Sequence, residues 1–150
     1  ALEDDGGGAV GVVHDPVRGE TFTAARGLGS RLNGEPIQVN EPERLGSSLI
    51  ATGFGYDSER RKAQAEKLVG VLPHVRDIRR AGAAALDLCW VAEGRLDGYY
   101  ERGLKPWDWA AGRLLIEEAG GRVAWLDGEP RGLVAAATPE LLDELLPLAG

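Results

Sequence analysis

The sequence predicts a layered α/β fold, with strands sandwiched between helices. From residue 48 onward, short strand-type runs alternate with longer helix-type runs, the order in which helices come to cover a sheet. Glycine and proline punctuate the joins between those runs, where the chain must change direction. The 150 residues, 43% hydrophobic and 27% charged, suffice for a single unit that buries roughly 70% of its unfolded surface. No internal repeat or low-complexity linker divides them.

The elements follow in order. Ala9 to His14 is Val-rich and Glu20 to Ala25 alternates Thr and Phe; Asp15-Pro16-Val17-Arg18-Gly19 between them makes a hairpin. Arg26 to Ser30 reads as a Gly-rich loop. Asn33-Gly34, between Arg31-Leu32 and Pro36 to Val39, is the dipeptide of a type I′ turn, because both residues tolerate positive φ. Ser48 to Thr52 is a strand broken by Gly53-Phe54-Gly55. Asp57 or Ser58 caps a helix from Glu59 to Leu72, with Ala63, Leu68, Val69 and Leu72 toward the core and Pro73 ending it. Its charged first turn, Glu59 to Lys62, reads as a solvated face. Val75 to Arg80 is a brief strand. An Ala-rich helix then runs from Ala83 to Glu93, with Gly94 at its C′ position. Leu96 to Glu101 is a strand, and a helix opens near Asp108 and stops at Gly120-Gly121. Strands Arg122 to Leu126 and Leu133 to Ala137 flank Asp127-Gly128. Thr138 caps the last helix, with Pro139 at its first position.

Composition excludes several function classes. No apolar run approaches the ~20 residues that span a bilayer, so no membrane partner is expected. A net charge of −7 disfavours nucleic acid, which needs a basic face. One cysteine, Cys89, excludes an internal disulfide and a multi-thiolate zinc site, and suits a reducing, cytoplasmic setting. His14 and His74 lack metal-ligand spacing. There is no G-x-S-x-G, no P-loop and no G-x-G-x-x-G, and Ser47-Ser48 has no local base. The four tryptophans read as packing residues, with Trp107 also placed to buttress a ligand beside Asp108.

Two segments carry chemistry. Glu101 closes a strand and Asp108 opens a helix across a tight Gly/Pro loop, so both carboxylates can face one crevice at the strand's C-terminal end. Carboxylate oxygens suit Mg²⁺; equally, Asp108 can serve only as a first-turn acid favoured by the helix dipole. The second segment is Arg80-Ala81-Gly82-Ala83-Ala84-Ala85. A helix N-terminus built of such small residues exposes backbone N–H groups to an oxyanion or sugar hydroxyl, or simply allows close helix packing.

Trp107-Asp108-Trp109-Ala110-Ala111-Gly112, followed by Glu117-Glu118-Ala119-Gly120-Gly121, closely resembles a signature of the inositol monophosphatase family. The likeness extends to Gly82-Ala83-Ala84 through Tyr99, to Ala51-Thr52-Gly53-Phe54-Gly55-Tyr56, to Asn33-Gly34, and to the final Ala135 to Leu148. It implies the C-terminal portion of an α-β-α-β-α sandwich of the sugar-phosphatase type. The implied activity is Mg²⁺-dependent hydrolysis of a phosphate monoester, inositol 1-phosphate foremost. Related members cleave histidinol phosphate, fructose 1,6-bisphosphate, NADP or phosphoadenosine phosphate, and a non-catalytic ligand-binding member is the further alternative. By position, Asp108 resembles the metal-binding aspartate near the attacking water, and Glu101 the glutamate that binds a substrate hydroxyl. Gly82 and Ala84 match the backbone beside the substrate ring, with Ala83 where Thr or Ser is common. The family's upstream Glu and D-P-[IL]-D-G-T segment have no match here; Asp15-Pro16-Val17-Arg18-Gly19-Glu20 is a decoy. With its opening in mid-pattern at Ala1 and no Met, the chain is expected to be the C-terminal half of such a domain, its N-terminal metal-binding half lying upstream. The resemblance also implies a small phosphorylated metabolite as partner and a homodimer.

Overall fold

The computed structural model describes all 150 residues. Alternating small and β-branched residues build a first sheet of five antiparallel strands in sequence order: β1 (Leu2–Asp4), β2 (Gly7–Asp15), β3 (Glu20–Ala25), β4 (Ser30–Leu32) and β5 (Glu35–Ile37). The period of two is visible in β3, where Phe22 and Ala24 are buried and their neighbours half-exposed. Asn33 and Gly34 both have positive φ, 50° and 91°, as the tight turn between β4 and β5 requires.

The second sheet holds β6 (Leu49–Thr52), β7 (Asp77–Arg79), β8 (Gly98–Arg102), β9 (Arg122–Leu126) and β10 (Gly132–Ala136), in the order β7-β6-β8-β10-β9. β6 runs parallel to β7 and β8, while β10 is antiparallel to β8 and β9. All five residues of β10 are buried, as befits a strand with both faces covered.

Four helices complete the chain: α1 (Ser58–Val71), α2 (Ala84–Ala92), α3 (Pro106–Glu118) and α4 (Pro139–Ala149). Helices α2 and α3 lie between the sheets. There Leu88, Val91, Leu115 and Ile116 share one core with Phe22 of the first sheet and Tyr99 and Leu133 of the second. Leu141 and Leu145 of α4 and Val71 of α1 form the other core, against Ile50, Tyr100 and Val134. Adjacent tyrosines of β8 thus enter opposite cores. The layered α/β class is what forms, with these residues supplying two sheets and two helix layers. No helix is long and apolar enough to cross a membrane.

Several local expectations need correction. Leu2–Asp4, for which the sequence predicted no element, forms a strand because β2 offers a pairing edge, and Arg26 ties it down through an ion pair of 2.7 Å to Asp4. Ser30, read as loop, starts β4 because its backbone pairs with Ala24. Helix α1 buries Val71 rather than the expected set: Val69 is 73% and Leu72 49% exposed, and Ala63 is exposed. Its apolar residues are spread around the helix, so periodicity alone does not choose a side. Helix α3 starts at Pro106, two residues early, since proline needs no N–H partner in a first turn.

Candidate active site

Parallel strands β6 and β8 end side by side, and the chain leaves both toward helices. The crevice beyond their C-terminal ends, where ligands settle in open α/β sheets, has a volume of about 220 Å³. Glu101 comes from the end of β8, Gly82 and Ala84 from the start of α2, and Asp108 from the first turn of α3; all four line this one pocket. Thr52, at the end of β6, lies instead in a neighbouring cavity that shares Gly53, Arg60 and Glu101 with it.

Asp108 sits at the third position of α3, and its Oδ2 accepts the Lys105 backbone N–H at 2.8 Å. That bond satisfies a donor at the helix start and fixes the carboxylate at the pocket wall. Asp108 thus caps its helix and also lines the cavity.

Glu101 is more enclosed. Its Oε2 accepts the Tyr99 hydroxyl, and Gly53 packs so tightly beneath it that a Cβ at that position would overlap the carboxyl. Burial pushes the Glu101 carboxyl above its ordinary range, against the opposing pull of the Tyr99 hydroxyl and the Arg60 guanidinium. Burial and the nearby Glu101 charge push the Tyr99 phenol up in turn, which keeps it a donor.

Two residues in the pocket were not anticipated. Asp87, in the first turn of α2, lines the cavity and is 1% exposed, and its Oδ1 has no hydrogen-bond partner. Burial first, and then the Glu101 charge, push its carboxyl up to about 7, with Arg80 drawing it back. The signal available in sequence was an acid inside an apolar helical run, Ala84-Ala85-Leu86-Asp87-Leu88-Cys89. Arg60, read as part of a solvated face, instead turns inward, lines the pocket and donates to the Arg102 carbonyl. A cation near the half-buried Glu101 carboxyl lowers the cost of its charge, which accounts for the inward turn.

Other candidates lie elsewhere. Asp15 is held in the β2–β3 turn by the backbone N–H groups of Val17 and Arg18 and by the Arg18 guanidinium at 2.9 Å. Cys89 is fully buried. His14 pairs with Thr21 on the first sheet, and His74 lies in a short 3-10 turn after α1. Trp109 and Trp125 stack edge to face, but Trp107 is 80% exposed and absent from the pocket lining. Nowhere do three or more His, Cys, Asp or Glu side chains gather into a cluster able to hold a metal ion.

Comparison with known proteins agrees with this architecture. The family model described as "Inositol monophosphatase family" matches residues 1–149. The chain is 47% identical over 145 residues to the inositol-1-monophosphatase of Mycobacterium bovis, covering 91% of this chain and 49% of that protein. It is 43% identical over 142 residues to the Nus factor SuhB of Haemophilus influenzae, covering 91% and 53%. It superposes on the inositol monophosphatase of Anabaena with a TM-score of 0.86 and 39% identity, over 93% of this chain and 59% of that one. The chain spans about half the length of the curated relatives it matches. By sequence and by fold, then, the chain belongs to the inositol monophosphatase family.

Proposed function

We propose that this chain forms part of a Mg²⁺-dependent phosphomonoesterase that converts inositol phosphate and water to inositol and phosphate. The convergence of Glu101, Asp108 and the N-terminus of α2 on one pocket carries this reading. Asp108 suits a hard cation: Oδ2 is anchored by Lys105, while Oδ1 makes no hydrogen bond of its own. With no third donor gathered around it, the remaining ligands come from residues outside these 150, an N-terminal half of the same domain. Bound Mg²⁺ would neutralise phosphate oxygens and lower the pKa of a coordinated water. Glu101 accepts a substrate hydroxyl, and its burial, with the Tyr99 hydroxyl behind it, holds that carboxyl in a single orientation. The small residues Gly82 and Ala84 let a substrate ring approach the backbone N–H groups that open α2.

A second reading, a ligand-binding member without turnover, is favoured by relatives that bear the name Nus factor. The charge of −7 argues against direct nucleic-acid binding by this chain. A cytoplasmic location and a homodimeric assembly complete the proposal; light scattering on the purified protein checks the latter.

The deciding experiment assays the complete gene product with Mg²⁺ and with EDTA. The substrates are inositol 1-phosphate, histidinol phosphate, fructose 1,6-bisphosphate, NADP and phosphoadenosine phosphate. Mg²⁺-dependent phosphate release, greatest from inositol 1-phosphate and negligible from the isolated 150 residues, is expected. Release that persists in EDTA, or from the isolated chain, overturns the metal assignment. Mg²⁺-dependent binding without release selects the second reading.

A further inference from the structure

The mechanism above leaves one enclosed acid unused. Asp87 is 1% exposed, yet its Oδ1 meets no hydrogen-bond donor. A buried carboxyl without a partner is costly and calls for a donor. These 150 residues supply none: Arg80 attracts it only at longer range, and the Asp87 backbone N–H is already given to the Ala83 carbonyl. No set of three acidic or imidazole donors gathers around a common point, so these residues do not build a cation site by themselves. Asp87 is one of the residues that line the cavity, with Glu101, Gly82 and Ala84.

We infer that Asp87 is a specificity-determining residue whose carboxyl hydrogen-bonds a ring hydroxyl of a polyol phosphate seated between Glu101 and the start of α2. The inference rests on the phosphomonoesterase reading and adds to it a residue that selects the esterified alcohol. Asp87 and Glu101 line the same pocket, and a polyol offers a hydroxyl to each. An ester with no free hydroxyl leaves Asp87 as it stands now, enclosed and unpaired, and a site of that kind discriminates strongly against such an analogue.

The test compares kcat/KM for inositol 1-phosphate and for phenyl phosphate in the complete gene product, its Asp87→Leu and its Asp87→Asn variants. Asp87→Leu is expected to lower the inositol-to-phenyl ratio at least about tenfold, mainly through KM for the inositol ester. Asp87→Asn, whose amide still meets a hydroxyl, keeps most of the ratio. The thermal shift produced by inositol 1-phosphate shrinks in Asp87→Leu to match. Should that variant fail to fold, Asp87→Ala carries the same comparison. An unchanged ratio, or equal losses on both esters, overturns the inference while the phosphatase reading stands. A wild-type protein that hydrolyses neither ester removes both.

Discussion

Asp15 and Asp87 are buried to nearly the same depth, 2% and 1% exposed, in opposite surroundings. Asp15, in the first sheet, collects two backbone N–H groups and a guanidinium, and the Arg18 contact holds its carboxyl below the usual range. Asp87, beside the second sheet, collects nothing at Oδ1 and is pushed up to about 7. The first acid is finished by its own turn and serves the hairpin. The second is incomplete until something enters the pocket. Depth of burial does not separate a structural acid from a functional one; the count of donors around it does.

The most forceful way to extend this contrast is to remove the charge from the acid assigned to the cation. Asp108→Asn in the complete gene product is expected to lower kcat at least ~100-fold, because lost metal stabilisation is worth several kcal/mol and each ~1.4 kcal/mol is tenfold. Near-normal turnover would take Asp108 out of the metal site.

A smaller effect compares the two buried aspartates directly, in urea melts with EDTA from pH 3 to pH 8. Folding holds a proton on Asp87 between its ordinary 3.8 and about 7, so this group costs stability as pH rises through that window. Asp87→Asn should therefore be most favourable relative to wild type above pH 7 and lose that advantage toward pH 4. Asp15 has the opposite sign, its carboxyl being lowered. Its contribution is present above the ordinary value and disappears as pH falls through the lowered one, so Asp15→Asn should be destabilising at neutral pH and less so in acid. Parallel pH profiles for the two variants would break the contrast.

The smallest expected effect concerns the start of α2. Ala83 occupies the N-cap in extended conformation and provides no side-chain bond. Ala83→Ser should stabilise the fold by about 1 kcal/mol, read as a rise of roughly 2–4 °C in Tm. An unchanged Tm would mean that the N–H groups of this helix start already have partners.

Much of the fold was legible because its signals are local. Asn33-Gly34 turned where its dihedral tolerance required, Gly94 followed α2, and Thr138 caps α4 by accepting the Leu141 N–H. Glu101, Asp108, Gly82 and Ala84 were legible as candidates because the loop joining β8 to α3 is short and small residues open α2. Asp87 and Arg60 were not, because their significance lies in what surrounds them. An acid in an apolar helix and an arginine among charged neighbours acquire meaning only once β8 is brought alongside. The seating of α1 was hidden for the same reason: Val71 was selected by the core it shares with α4 rather than by spacing.

Arg60 gives that loosely seated helix a second anchor. With little apolar surface to hold it, α1 is moored by a guanidinium that grips the Arg102 carbonyl, at the strand end carrying Glu101. Drift of the helix would withdraw a positive charge from beside Glu101, so the least firmly packed segment of the second layer also trims the electrostatics of the crevice.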